Sequence, residues 1–164
     1  MGCTADLKEY KMVKFIADGM LGKAGKWLRL MGYDTLYFNT SRKAELLRVA
    51  RKEGRTILTR DRKLALSNPG LVVLIESEGT DNQMKEIIRK LSLQPEQDEF
   101  FKRCSVCNAP LEIKEKSAIE ELVPEYVYNT KDIFSQCPQC RRIYWEGDHC
   151  KEIRRTIDSF LKGG

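Results

Sequence analysis

From Val13 to about residue 92 the chain alternates short apolar runs with amphipathic stretches, and this alternation constrains the fold more than any other feature. Val13–Ala17, Asp34–Phe38, Thr56–Thr59 and Leu71–Ile75 read as strands. Between them, apolar residues recur at helical spacing: Leu21, Ala24, Leu28 and Met31, then Leu46, Leu47 and Ala50. Arg62–Leu66 reads as a short third helix that breaks at Asn68-Pro69-Gly70, and Met84, Ile87, Ile88 and Leu91 mark a fourth. Strands joined through helices return to the same starting edge and therefore pair in parallel. Uniformly apolar strands such as Leu71–Ile75 belong to a sheet covered on both faces. The expected class is α/β with a central parallel sheet. The units repeat at roughly 20 residues, too short for a full dinucleotide fold, and neither G-x-G-x-x-G nor a P-loop pattern is present.

A parallel sheet brings the C-terminal ends of all its strands to one edge, where α/β folds bind ligands. Asp18 follows the first strand, Asp61 follows the third, and Asp81 lies a few residues beyond the fourth. Carboxylates that converge repel one another, and a hard divalent cation such as Mg²⁺, which takes oxygen ligands and keeps several waters, is the common resolution. Each acid also has a plainer reading as a helix cap: Asp18 before the helix after Gly19, Asp61 before Arg62, and Thr80 or Asp81 at the fourth helix. Lys23, Lys26, Arg60, Arg62 and Lys63 lie close in sequence to Asp18 or Asp61. Acids ringed by bases suit a metal that must also meet a phosphodiester. For Lys26 and Arg29 a solvated helix face is the competing reading, and Trp27 reads as core before it reads as a base-stacking platform.

After about residue 100 the composition changes, and cysteines, aromatics and prolines cluster from Cys104 to Cys150. Residues 1–11 read as a flexible leader, 12–100 as the α/β domain, and 101–164 as a second module ending in a helix over Glu152–Leu161. Cys104-Ser-Val-Cys107 and Cys137-Pro-Gln-Cys140 have the spacing of two turns that close four thiolates around Zn²⁺. The 29 residues between them, 108–136, exceed the roughly 15–20 usual for such ribbons, which predicts an insertion at Glu115–Tyr128. Four Cys ligands leave no open coordination position, so the zinc is expected to be structural. His149 and Cys150 fall outside the completed set, and Tyr144–His149 either packs the ribbon on the sheet or stacks on bases.

The net charge of +5 permits a polyanionic partner without requiring one. No apolar run approaches the roughly 18 residues of a membrane helix, so no membrane partner is expected. Paired cysteines without a secretory signal pattern point to the reducing cytoplasm, where metal is favoured over disulfide.

Ile16–Lys23, Trp27–Asp34 and Ile57–Asp61 together resemble the Mut-seven-C (Mut7-C) type of PIN-like RNase domain. Val123–Tyr128, Cys137–Cys140 and Tyr144–His149 resemble the zinc ribbon fused to it. The resemblance spans residues 12 to about 155. It implies a PIN-like three-layer α/β/α sandwich with a C-terminal ribbon, and Mg²⁺- or Mn²⁺-dependent hydrolysis of RNA. Asp18 and Asp61 match the family's strand-end acids, and Asp81 is the candidate further acid. The family often carries an acidic cluster at the start of the second helix; here Asn39–Glu45 is basic, and Glu45 is its only acid.

The expected activity is a metal-dependent ribonuclease acting on single-stranded RNA. Asp18 and Asp61 would hold the metal, Asp81 and Glu45 would complete the acidic set, and Lys23, Lys26, Arg60 and Lys63 would meet the backbone. One alternative is a catalytically weak or inactive PIN-like module that binds RNA, or a ribosomal or other protein partner, through the ribbon. Another is a phosphatase of small substrates, against which the basic ring and the ribbon both argue. Oligomeric state is not legible in the sequence.

Overall fold

The computed structural model describes residues 13–162, so the expected leader at 1–11 lies outside the described residues. The chain runs β1 (Lys14–Asp18), α1 (Gly22–Leu30), β2 (Thr35–Phe38), α2 (Lys43–Glu53), β3 (Arg55–Thr59), α3 (Arg62–Ser67), β4 (Val72–Leu74) and α4 (Thr80–Leu91). A second part follows: β5 (Glu112–Lys114), α5 (Glu125–Thr130), β6 (Phe134–Gln136), β7 (Ile143–Trp145) and α6 (Asp148–Lys162).

The first four strands form one parallel sheet in the order β2-β1-β3-β4. Alternate strand residues feed opposite faces, as the period of two requires. Phe15, Ala17 and Leu58 join Leu28, Met84 and Ile87 of α1 and α4 on one face. Ile16, Ile57 and Val72 join Leu46, Ala50 and Leu64 of α2 and α3 on the other. Helices therefore cover both faces. Because the chain moves outward from β1 to β2 and then crosses back to β3, strand order reverses between β1 and β3. A crevice opens at the carboxyl ends of two such strands.

β5, β6 and β7 form a separate antiparallel sheet, and two 3₁₀ turns with α5 occupy the insertion between β5 and β6. The terminal helix begins at Asp148, earlier than its periodicity suggests, and returns to the first core, where Ile157 and Phe160 are fully buried. Phe160 meets Trp27 of α1 edge-on at a centroid distance of 5.2 Å. Trp27 is thus half-buried against the core.

Buried polar groups bind the two parts together. Arg29, read from sequence as part of a polar helix face, is only 7% exposed. Its guanidinium donates to the carbonyls of Thr35 (2.7 Å), Ser105 (3.2 Å) and Val106 (2.7 Å). The Asn108 side chain accepts from the Thr35 N–H at 2.9 Å and donates to Asp34 at 2.7 Å. Arg55 pairs with the same Asp34 carboxylate at 2.7 Å. Burial pushes the Asp34 carboxyl up, but the Arg55 and Asn108 donors outweigh it and hold its pKa below the usual value.

Candidate functional site

Two clusters of chemically able side chains lie far apart in the fold. The first is at the carboxyl edge of the sheet. β1 ends on Asp18, which is 7% exposed. One carboxylate oxygen accepts from the Gly19 N–H at 2.9 Å. The other accepts from the Thr59 hydroxyl and from Lys43 Nζ, both at 2.7 Å. Burial pushes the Asp18 carboxyl up, but these donors, with the Lys43 charge, hold it below the usual carboxylate range. Asp18 is therefore an anion at neutral pH.

β3 ends on Thr59, whose fully buried hydroxyl also accepts from the Asp61 N–H at 3.0 Å. Thr59 thus joins the two strand ends. The Asp61 carboxylate caps α3 by accepting from the Leu64 N–H at 3.0 Å. Capping and siting do not exclude each other, since Asp61 and Asp18 line one open cleft of about 410 Å³ with Asn39, Lys43, Thr59 and Arg60.

The other expected residues stand elsewhere. Asp81 is exposed on the first turn of α4 and does not line this cleft. Neither Thr80 nor Asp81 caps that helix; Gly79, at φ 76°, holds the cap position. The preceding loop is held instead by buried Glu86, which accepts from the N–H groups of Glu76 and Ser77 and pairs with Lys90 at 2.7 Å. Burial raises the Glu86 pKa, but these donors bring it down to about 2. Glu45 is exposed on the first turn of α2, and Lys43, two residues earlier, is the α2 side chain that reaches Asp18. Lys63 is exposed on α3, whereas Lys23 and Lys26 line a different groove beside α1.

The donor set suits a hard cation. Asp18 and Asp61 offer two carboxylates, and Mg²⁺ is commonly held through one or two carboxylates with water filling its shell. Each carboxylate keeps acceptor capacity beyond the bonds already made. Lys43 occupies part of that capacity with its own charge.

The second cluster is the four cysteines, whose sulfur atoms all lie within 4.8 Å of one another. Among the described residues this is the one group of three or more His, Cys, Asp or Glu with ligand atoms that close. The two Cys pairs fold alike. The Cys107 and Cys140 N–H groups point to the sulfurs of Cys104 and Cys137, at 3.5 and 3.4 Å. Asn108 and Arg141, each following a second cysteine, take left-handed φ values of 71° and 65° and donate back to the first cysteine's carbonyl. Cys107 and Cys137 stand 3.3 Å apart, and Cys104 and Cys140 3.6 Å. Such spacing cannot hold four thiolates without a cation, and four sulfurs around one point are the donor set of a closed zinc site. The cluster can bind zinc. His149 is exposed and pairs weakly with Glu152 at 3.7 Å, outside the cluster.

The Mut7-C RNAse domain family model matches residues 13–157, which includes both clusters. The chain belongs to the Mut7-C RNAse domain family. No curated protein matches it. Membership points to a nuclease-type function directed at RNA. It also joins the acid cleft and the cysteine cluster in one family unit, since the match runs unbroken across both. No helix among the described residues is long and apolar enough to cross a membrane.

Proposed function

We propose that this Mut7-C domain is a metal-dependent ribonuclease that hydrolyses single-stranded RNA at the cleft between the ends of β1 and β3. The supporting observation is that Asp18 and Asp61, from different strands, line one cleft and are tied through the Thr59 hydroxyl. In this reading Asp18 and Asp61 hold Mg²⁺ or Mn²⁺, which when bound supplies an activated water and offsets phosphate charge. Thr59 fixes the Asp18 carboxylate, and Arg60, a quarter exposed at the rim, meets the scissile phosphate. Asp81 and Glu45 are the further acids of this reading, and both stand exposed outside the cleft lining. Residues 12–100 carry the chemistry; 101–164 form a structural zinc ribbon with its terminal helix, in a cytoplasmic protein.

The Lys43–Asp18 ion pair favours a second reading. An ammonium group at 2.7 Å already neutralises the acid that the metal needs, as in a scaffold that binds RNA without cutting it. One experiment separates the two. Labelled single-stranded RNA is incubated with wild type and Asp18→Asn, with and without Mn²⁺. The nuclease reading expects cleavage that needs Mn²⁺ and disappears in Asp18→Asn. Cleavage that survives the substitution removes the proposed site, and RNA retained but never cut selects the binding module.

A further inference from the structure

A groove of about 590 Å³ lies apart from the acid cleft. It lies beside α1, where the ribbon and α6 lean against the sheet domain. A crossover helix runs back against the direction of its strands, so α1 starts at the acid edge and ends at the ribbon. Lys23 and Leu30, which both line the groove, are separated by roughly 10 Å of helix at 1.5 Å per residue. The groove therefore leads from the first turn after the acid cleft to the cysteine knuckles.

Its lining combines rings and cations. Trp27, Phe101, Tyr144 and Trp145 contribute aromatic surface, and both tryptophans of the protein are among them. Trp145 is 37% exposed and so available to a ligand. Lys23, Lys26 and His149 line the same groove. Neither lysine has an ion-pair partner among the described residues, whereas Lys43, at the acid cleft, is paired with Asp18. Stacking rings beside unpaired cations, along a positively charged path, is how proteins hold single-stranded nucleic acid.

We infer that this groove seats single-stranded RNA, with a base stacked on Trp145 and the backbone on Lys23 and Lys26, and that it feeds the strand to the acid cleft. This extends the ribonuclease reading and rests on it for the direction of travel, but the binding site itself stands on the groove alone. The ring and charge lining favours RNA over a peptide.

Because both tryptophans line the groove, intrinsic fluorescence reports on its occupancy. The zinc-loaded full chain, without added Mg²⁺ or Mn²⁺, is titrated with an oligouridylate of about twelve nucleotides. The expected result is quenching of tryptophan emission. Trp145→Ala should weaken binding roughly tenfold or more, while Trp145→Phe, which keeps a stacking face, should retain most of it. Lys26→Ala should lower the slope of log affinity against log salt by about 1. Zinc content verifies that each variant keeps its ribbon; if Trp145→Ala loses zinc, the Trp145→Phe quench and the Lys26→Ala salt slope decide. Unquenched emission, or binding by a zinc-loaded Trp145→Ala equal to wild type, overturns the inference and leaves the groove to a protein segment. RNA that quenches yet is never cut with Mn²⁺ keeps this inference and removes the nuclease reading. RNA that is cut without quenching does the reverse.

Discussion

The acid cleft and the cysteine cluster solve the same electrostatic problem in opposite ways. Both crowd groups that become anions. At the cleft the protein supplies its own cation, and Lys43 lies 2.7 Å from Asp18. At the cysteines no lysine or arginine among the described residues hydrogen-bonds a sulfur; Arg29 lies near enough to feel the Cys104 and Cys107 charges but spends its hydrogen bonds on the carbonyls of Thr35, Ser105 and Val106. The thiols respond by splitting. Burial pushes both thiols of the first pair up, yet Cys104, with the Tyr144 hydroxyl and backbone N–H donors, falls to about 6, and Cys107 rises to about 12 beside its neighbouring sulfurs. The one guanidinium near the cluster, Arg29, cannot balance four thiolates, so the cysteines depend on an external cation, whereas the acid cleft has an ammonium bonded directly to Asp18. The contrast predicts that metal is structural at one end and optional for folding at the other.

The sharpest break of that contrast is Cys137→Ser. Structural zinc in small modules contributes about 10–16 kcal/mol of apparent binding free energy, so its loss should unfold the ribbon outright. Elemental analysis and a thermal melt would show zinc gone and a lost or split transition. A variant that keeps both would mean the cysteines are not the ligands. Metal-free preparation of the acid cleft, by comparison, should leave the melting temperature nearly unchanged.

Arg29→Ala tests how far the ribbon leans on the sheet. One buried and two part-buried carbonyls lose a charged donor, and about 3 kcal/mol of stability should go with them. Chemical denaturation would measure it. A change near zero would show that the ribbon is held by α6 and the apolar contact alone.

Glu86→Gln should cost about 2 kcal/mol by replacing a charged acceptor of the Glu76 and Ser77 N–H groups. The pH dependence has a definite sign. The folded pKa, about 2, lies below the ordinary glutamate value of 4.5, so the carboxylate stabilises the fold above the unfolded pKa. That contribution fades as pH falls from about 4.5 toward about 2. Acid titration of the melting temperature should therefore be flatter in Glu86→Gln over that window, and an equally steep profile would assign the acid sensitivity to other groups.

The smallest stability effect, below about 1 kcal/mol, is expected for Lys43→Met, because the lysine is 36% exposed. Its value is functional. Release of Asp18 should tighten Mn²⁺ binding, measured by titration calorimetry, if the ammonium competes with metal. Unchanged Mn²⁺ affinity would mean the ion pair and the metal do not share the carboxylate.

The sequence by itself determined what repeats locally. Strand and helix periods gave the four parallel strands and their covering helices, and the Cys-x-x-Cys spacing gave both knuckles. Asp18 and Asp61 were legible at strand ends because parallel connectivity alone sends those ends to one edge. Tertiary structure decided who faces whom. Lys43 meets Asp18 across 25 residues, Thr59 meets it across 41, and Arg29 reaches Val106 across 77. No local period encodes such pairs. They follow from the reversal of strand order between β1 and β3, which swings α2 over the end of β1, and from the return of the ribbon and α6 to α1. Arg29 looked solvated because a helical period records which residues share a face, and only packing reveals what covers that face.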